Sequence, residues 1–70
     1  MDFSNFDFSS RPKRRRFVAL IISALNRIRS EEQAYRDRIP SNLDSSDLAA
    51  NADDSIDLLS DAILFLDEAY

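Results

Sequence analysis

No glycine occurs among these 70 residues, and that absence narrows the possible folds more than any motif does. Positive φ costs little only for glycine, and the two-residue turns of tight β-hairpins depend on it. A glycine-rich cradle for a nucleotide phosphate is excluded on the same ground. Punctuation comes instead from two prolines, Pro12 before an apolar run and Pro40 between two helix-like segments. Leu, Ile and Ala fill the rest together with Asp, Ser and Arg. The chain is therefore expected to be all-α.

Size limits what such a chain can do alone. A domain of this length buries only about 60% of the surface its unfolded chain exposes, and small folds are usually supported by disulfides, metals or partners. Cysteine and histidine are both absent, which removes disulfides and Cys/His zinc sites. Carboxylates suit only a hard cation, and the twelve-residue calcium loop with its central glycine is missing. No metal and no cofactor is expected. Association with itself or with another molecule is left as the expected support.

Residues 1–10 read MDFSNFDFSS. Phe3, Phe6 and Phe8 sit among Ser, Asn and Asp, and no helical stripe continues through them. Two readings stand: a flexible arm that folds its aromatics back onto the domain, or a short motif that docks on a partner. The second makes Phe3, Phe6 and Phe8, with Phe17 and Leu20 behind them, the candidate partner-binding residues.

Residues 11–70 form the expected helical hairpin. Its first helix spans about 13–38, capped by Ser9 or Ser10, with Pro12 tolerated in the first turn because its missing N–H has no helical partner there. Phe17, Ile21, Ala24, Ile28 and Tyr35 fall on one line at helical spacing. Val18, Ile22 and Leu25 fall beside it, and Leu20 closes the other edge. The apolar arc over 17–28 is roughly 200° wide, more than one partner helix covers. A break at 39–43 follows, since Pro40 biases Ile39 away from the α region. The second helix is expected over about 44–69, with Asp44 as its cap and Leu43 and Leu48 as a staple. Ala52, Ile56, Leu59, Ile63, Leu66 and Tyr70 repeat at alternating spacings of four and three, a heptad seam. Leu58, Ala62, Phe65 and Ala69 run beside it, and Leu64 stands alone among polar residues. The short connection makes the two helices antiparallel. Set against the wide arc, the pattern leads to a homo-oligomer, most simply an antiparallel dimer of hairpins forming a four-helix bundle.

Charge divides the chain in the same place. All nine basic residues lie in 1–38 with five acids, whereas 39–70 holds eight acids and no base. Cations at a helix N-terminus and acids at a C-terminus both oppose the helix dipole. An antiparallel pairing relieves both by setting Arg14, Arg15 and Arg16 beside Asp61, Asp67 and Glu68, and Arg36 and Arg38 near Asp44 and Asp47.

The cluster RPKRRR followed by FVALIISAL has other readings. A signal peptide would also have basic and then apolar residues, but Asp2 and Asp7 precede the run and no clean A-x-A site follows. A membrane span needs roughly 20 apolar residues, and this run has nine. A helix lying on an anionic membrane would be opposed by the acidic second helix. Anion or nucleic-acid binding is the serious rival: Arg11, Lys13, Arg14, Arg15 and Arg16 are candidate phosphate contacts, for nucleic acid or a small nucleotide. The overall charge of −4 opposes general affinity for a polyanion, and no recognition helix or stacking platform is evident.

No Cys or His nucleophile–base system exists, and the carboxylate pairs Glu31/Glu32 and Asp53/Asp57 read as solvated helix faces. The chain is expected to be a non-enzyme. Its expected role is that of a small intracellular protein-interaction module, cytoplasmic or nuclear, acting as an adaptor, regulator or inhibitor of a larger protein. It is expected to bind itself as well.

Overall fold

A computed structural model describes residues 7–70; Phe3 and Phe6 of the aromatic segment lie outside them. The described chain is a two-helix hairpin, α1 over Arg11–Asp37 and α2 over Asp47–Ala69, joined through a 3₁₀ turn at Ser41–Leu43.

Each boundary has a local cause. Ser10 is extended, and its side chain accepts a hydrogen bond from the Lys13 N–H, so α1 starts at Arg11 with Pro12 in the first turn. At the other end Arg38 N–H donates to Ala34 and Tyr35 carbonyls, and Ile39 N–H to that of Arg36. Pro40 then holds an extended φ,ψ of −60° and 149°. The second helix starts later than the sequence suggests. Ser46, not Asp44, is its cap, with its hydroxyl accepting from Ala49 N–H. Asp44 instead closes the 3₁₀ turn and accepts a hydrogen bond from Arg36. The expected staple fails for the same reason: with the cap moved to Ser46, Leu43 and Leu48 no longer occupy the two staple positions, and both are exposed.

Two cross-helix hydrogen bonds fix the register, Arg29 to Ser60 at 3.3 Å and Arg36 to Asp53 at 2.9 Å. The α2 seam is the heptad read from the sequence, with Ala52 buried and Ile56, Leu59, Ile63 and Leu66 half-buried. On α1 the inward line is Val18, Ile22, Leu25, Arg29, Glu32 and Arg36, all half-buried. That line is the one beside Phe17, Ile21, Ala24, Ile28 and Tyr35, of which Phe17 and Ile21 are also half-buried. It wins because its polar half is useful: Arg29 and Arg36 both find partners across the gap.

The most complete burial lies near the connection. Ala49 and Ala52, at 0% and 1% exposure, are the only fully buried residues among those described. Their small side chains admit the last turn of α1, and Arg36 then reaches both Asp44 and Asp53, each at 2.9 Å. The two carboxylates raise the guanidinium's already high pKa further. One side chain thereby ties α1, the connection and α2 together.

Candidate docking face and basic end

The hairpin has one polar and one apolar side. At about 100° per residue, Asn26, Gln33 and Asp37 of α1 lie ahead of the seam, as do Asp53, Ser60 and Asp67 of α2. Arg29 joins the two groups, donating to Asn26 Oδ1 at 2.8 Å and to Ser60 Oγ at 3.3 Å. A shared open cleft over Gln33, Asp37, Asp44 and Asp53 confirms that these flanks face the same way. Leu64, exposed, stands alone on that side.

The flanks behind the seams must therefore share the opposite side, because the sense of rotation seen from one end reverses between antiparallel helices. There α1 presents Phe17, Leu20, Ala24 and Ile28, and α2 presents Leu58, Ala62, Phe65 and Ala69. Leu58 is 68% exposed, Phe65 67%, Leu20 57% and Ile28 52%. Four large apolar side chains on one side differ from the scattered single hydrophobics of an ordinary surface. The sequence shows both α1 lines and both α2 lines. It does not show that the outer pair lands together, which needs the antiparallel register.

At the open end, residues 7–9 fold back on α1. The Phe8 ring meets Phe17 edge-on, with centroids 5.1 Å apart. Arg14 Nη1 donates to the Phe8 carbonyl at 2.9 Å. Asp7 accepts hydrogen bonds from Ser9 N–H and from Lys13 Nζ. Asp7, Phe8, Lys13, Arg16, Phe17 and Leu20 line an open hollow of about 260 Å³, adjoining the apolar side. That is smaller than the roughly 300–1,000 Å³ of small-molecule sites, and close to the size of one large side chain.

The Lys13 and Ser9 hydrogen bonds hold the Asp7 carboxyl well below its usual 3.8. A carboxylate whose pKa is depressed in the folded state contributes fully above its unfolded pKa and loses that contribution as pH falls below it. The Phe8–Phe17 contact is thus expected to persist from pH 7 to about 4 and to loosen below that. Asp7→Asn should loosen it at pH 7. The ring-proton shifts of Phe8 and Phe17 in an NMR titration check both; shifts unchanged by the substitution would show that the carboxylate does not hold the arm.

The expected neighbourhood of Arg14, Arg15 and Arg16 with Asp61, Asp67 and Glu68 is met in part: Arg15 and Asp67 line one hollow, but none of these residues pairs with another in the three ion pairs among the described residues. Asp61 and Glu68 lie on the outer surface of α2, about 160–180° from its seam at helical spacing, out of reach of α1 in the same chain. Arg38 and Asp47 are likewise apart, while Arg36 and Asp44 do pair. The two ends meet instead through Arg11, whose guanidinium carbon lies 5.0 Å from the Tyr70 ring centroid. No metal-ligating cluster occurs among the described residues. No helix among them is long and apolar enough to cross a membrane. Comparison with family models, characterised proteins and solved structures finds no match to the chain.

Proposed function

We propose that the chain is a small non-catalytic protein-interaction module inside the cell, in cytoplasm or nucleus, serving as an adaptor, regulator or inhibitor of a larger protein and associating with itself. The observation that carries this reading is the apolar side of the hairpin, where Leu20, Ile28, Leu58 and Phe65 are each more than half exposed. Large exposed apolar side chains gathered on one side of a small fold mark interaction surfaces. The hollow beside Phe8, Phe17 and Leu20 extends that side and has room for an aromatic anchor, a residue type that dominates many interfaces.

Phe3, Phe6, Phe8, Phe17 and Leu20 are the residues assigned to the larger partner. A chain starting at Ser10 is expected to keep its helical circular dichroism and to lose much of its affinity for that partner. Side-by-side capture from the source cell with full-length and shortened forms checks this; equal recovery of the same protein by both removes the arm from the interface.

Anion binding is the second reading, favoured by one observation. Arg15 and Arg16 enter no ion pair among the described residues and stand near Arg11, Lys13 and Arg14 around one helix end. Titration with duplex, single strand and a panel of nucleotides at two salt concentrations tests it. A phosphate site predicts binding that weakens steeply with salt, and no binding at low salt removes it.

A further inference from the structure

We propose that the apolar side from Ala24 and Ile28 of α1 to Leu58 and Phe65 of α2 is covered by a second copy of this chain, related by a two-fold axis parallel to the helices, so that α1 of each hairpin lies on α2 of the other and Phe17 and Leu20 at the open end are left to the larger partner. This deepens the interaction reading above and rests on it. Two hairpins can close face to face with two-fold symmetry in two ways. An axis across the hairpins stacks α1 on α1 and α2 on α2. An axis along the helices stacks α1 on α2 twice.

Charge decides between them. Residues 39–70 hold eight acids and no base, and all nine bases lie in 1–38. The first arrangement sets two acidic helices against each other. The second places every α1 between two acidic helices, its own α2 and the partner's, so charge alternates around the four-helix bundle. Like charges brought together across an interface are strongly disfavoured. The two loops then lie at the same end, in contrast to two whole hairpins packed head to tail.

The register supplies particular pairs. The Arg29–Ser60 and Arg36–Asp53 bonds set which residues are level across the hairpin, and a two-fold along the helices preserves those levels. Arg27 then comes level with the partner's Asp61, and Arg38 comes close to the partner's Asp54. All four residues are exposed, lie at the outer rim of the apolar side, and enter none of the ion pairs among the described residues. Within one chain Arg27 and Asp61 project away from each other on opposite outer edges, so only another copy can bring them together. Glu31, level with Leu58 on the same rim, bounds the apolar patch toward the connection.

Size agrees. The chain extends over 51 by 24 Å, so a second copy laid along it has room for the roughly 800 Å² per partner that a specific interface buries, with the apolar patch toward the open end and a polar margin toward the connection. A fold whose only fully buried residues, among those described, are two alanines gains from the second layer the core it lacks.

The absence of cysteine allows a direct test on the full chain. Sedimentation equilibrium should give twice the 8.0 kDa chain mass. A spin label on Ser41→Cys should report a loop-to-loop distance far shorter than the 51 Å hairpin length. Phe65→Asp should weaken association by about 30-fold or more, the loss expected of an interface anchor. Because that variant can fail by unfolding, a charge exchange accompanies it. Arg27→Glu and Asp61→Arg should each weaken the dimer several-fold, and the double variant should recover it.

A folded monomer at all concentrations, loops separated by about the full hairpin length, or a double variant no better than the singles would each overturn the assignment. A photo-crosslinker at Leu58 then separates this failure from that of the broader reading. If a monomeric chain captures a different protein there, the interaction reading stands and the second copy falls. If it captures nothing, both fall.

Discussion

Ala52→Leu is expected to lower the thermal midpoint by about 5–20 °C. Ala52 is 1% exposed and lies on the α2 seam, level with the last turn of α1. Leucine adds three carbons at a position that is already fully covered. Overpacking of this kind costs about 1–3 kcal/mol, and in a domain of 60–100 residues each kcal/mol moves the midpoint by about 4–8 °C. The damage should not stop at the contact. Pushing the helices apart carries Arg36 away from Asp53, while Asp44, on the connection, follows α1. Ala50→Leu is the control. It adds the same volume two residues away, at an exposed position, and should leave the midpoint within a few degrees. Circular dichroism melts of both variants check the pair; equal effects would show that helix separation is not set at Ala52.

Most of the fold is legible in the sequence because it is local. The absence of glycine, the α2 heptad and the break at Pro40 each act within one or two turns, and together they specify two helices and an antiparallel pairing. Choices that depend on the other helix are not legible. Both apolar lines of α1 are visible, but apolarity alone favours Phe17, Ile21, Ala24 and Ile28 as the seam. The structure uses Val18, Ile22 and Leu25, whose continuation is polar. Only the presence of Ser60 and Asp53 opposite makes Arg29 and Arg36 acceptable inward residues. The start of α2 is missed for a related reason. Asp44 and Ser46 are both good caps by type, and the contest is settled by Arg36, which reaches Asp44 from another helix.

Charge complementarity is the instructive case. Opposite-signed helices agree with the pairing that the short connection sets, yet net charge says nothing of which side of a helix a charge occupies. Arg36 points inward and pairs twice. Asp61 and Glu68 point outward, so the expected clasp at the open end does not form within the chain. The candidate docking side is hidden from sequence reading in the same way, since it is made of two flanks that meet only once the hairpin closes.

The second large effect follows from that choice of seam. Ile22→Asp is expected to abolish the folded state, and Ser23→Asp, one residue along, to leave it nearly intact. Ile22 is half-buried and shares a hollow with Arg15, Val18, Ala19, Leu66, Asp67 and Tyr70. A carboxylate there loses the apolar contact of the isoleucine and is partly desolvated, and the opposite charges of Arg15 and Asp67 in the same hollow offset each other. Lost apolar contact and desolvation of a charge together cost several kcal/mol. A hairpin whose fully buried residues, among those described, are two alanines has no such reserve, since small domains are stable by only a few kcal/mol. Ser23 is exposed and points away from α2. Its replacement carries the same charge and similar helix propensity, so any shared loss from propensity cancels in the comparison. Far-UV circular dichroism at matched concentration, with urea titration of whichever variant stays folded, measures the contrast. If Ser23→Asp unfolds as completely as Ile22→Asp, the inward line of α1 is not Val18, Ile22 and Leu25. If both remain folded, α1 does not rely on α2 for its stability at all.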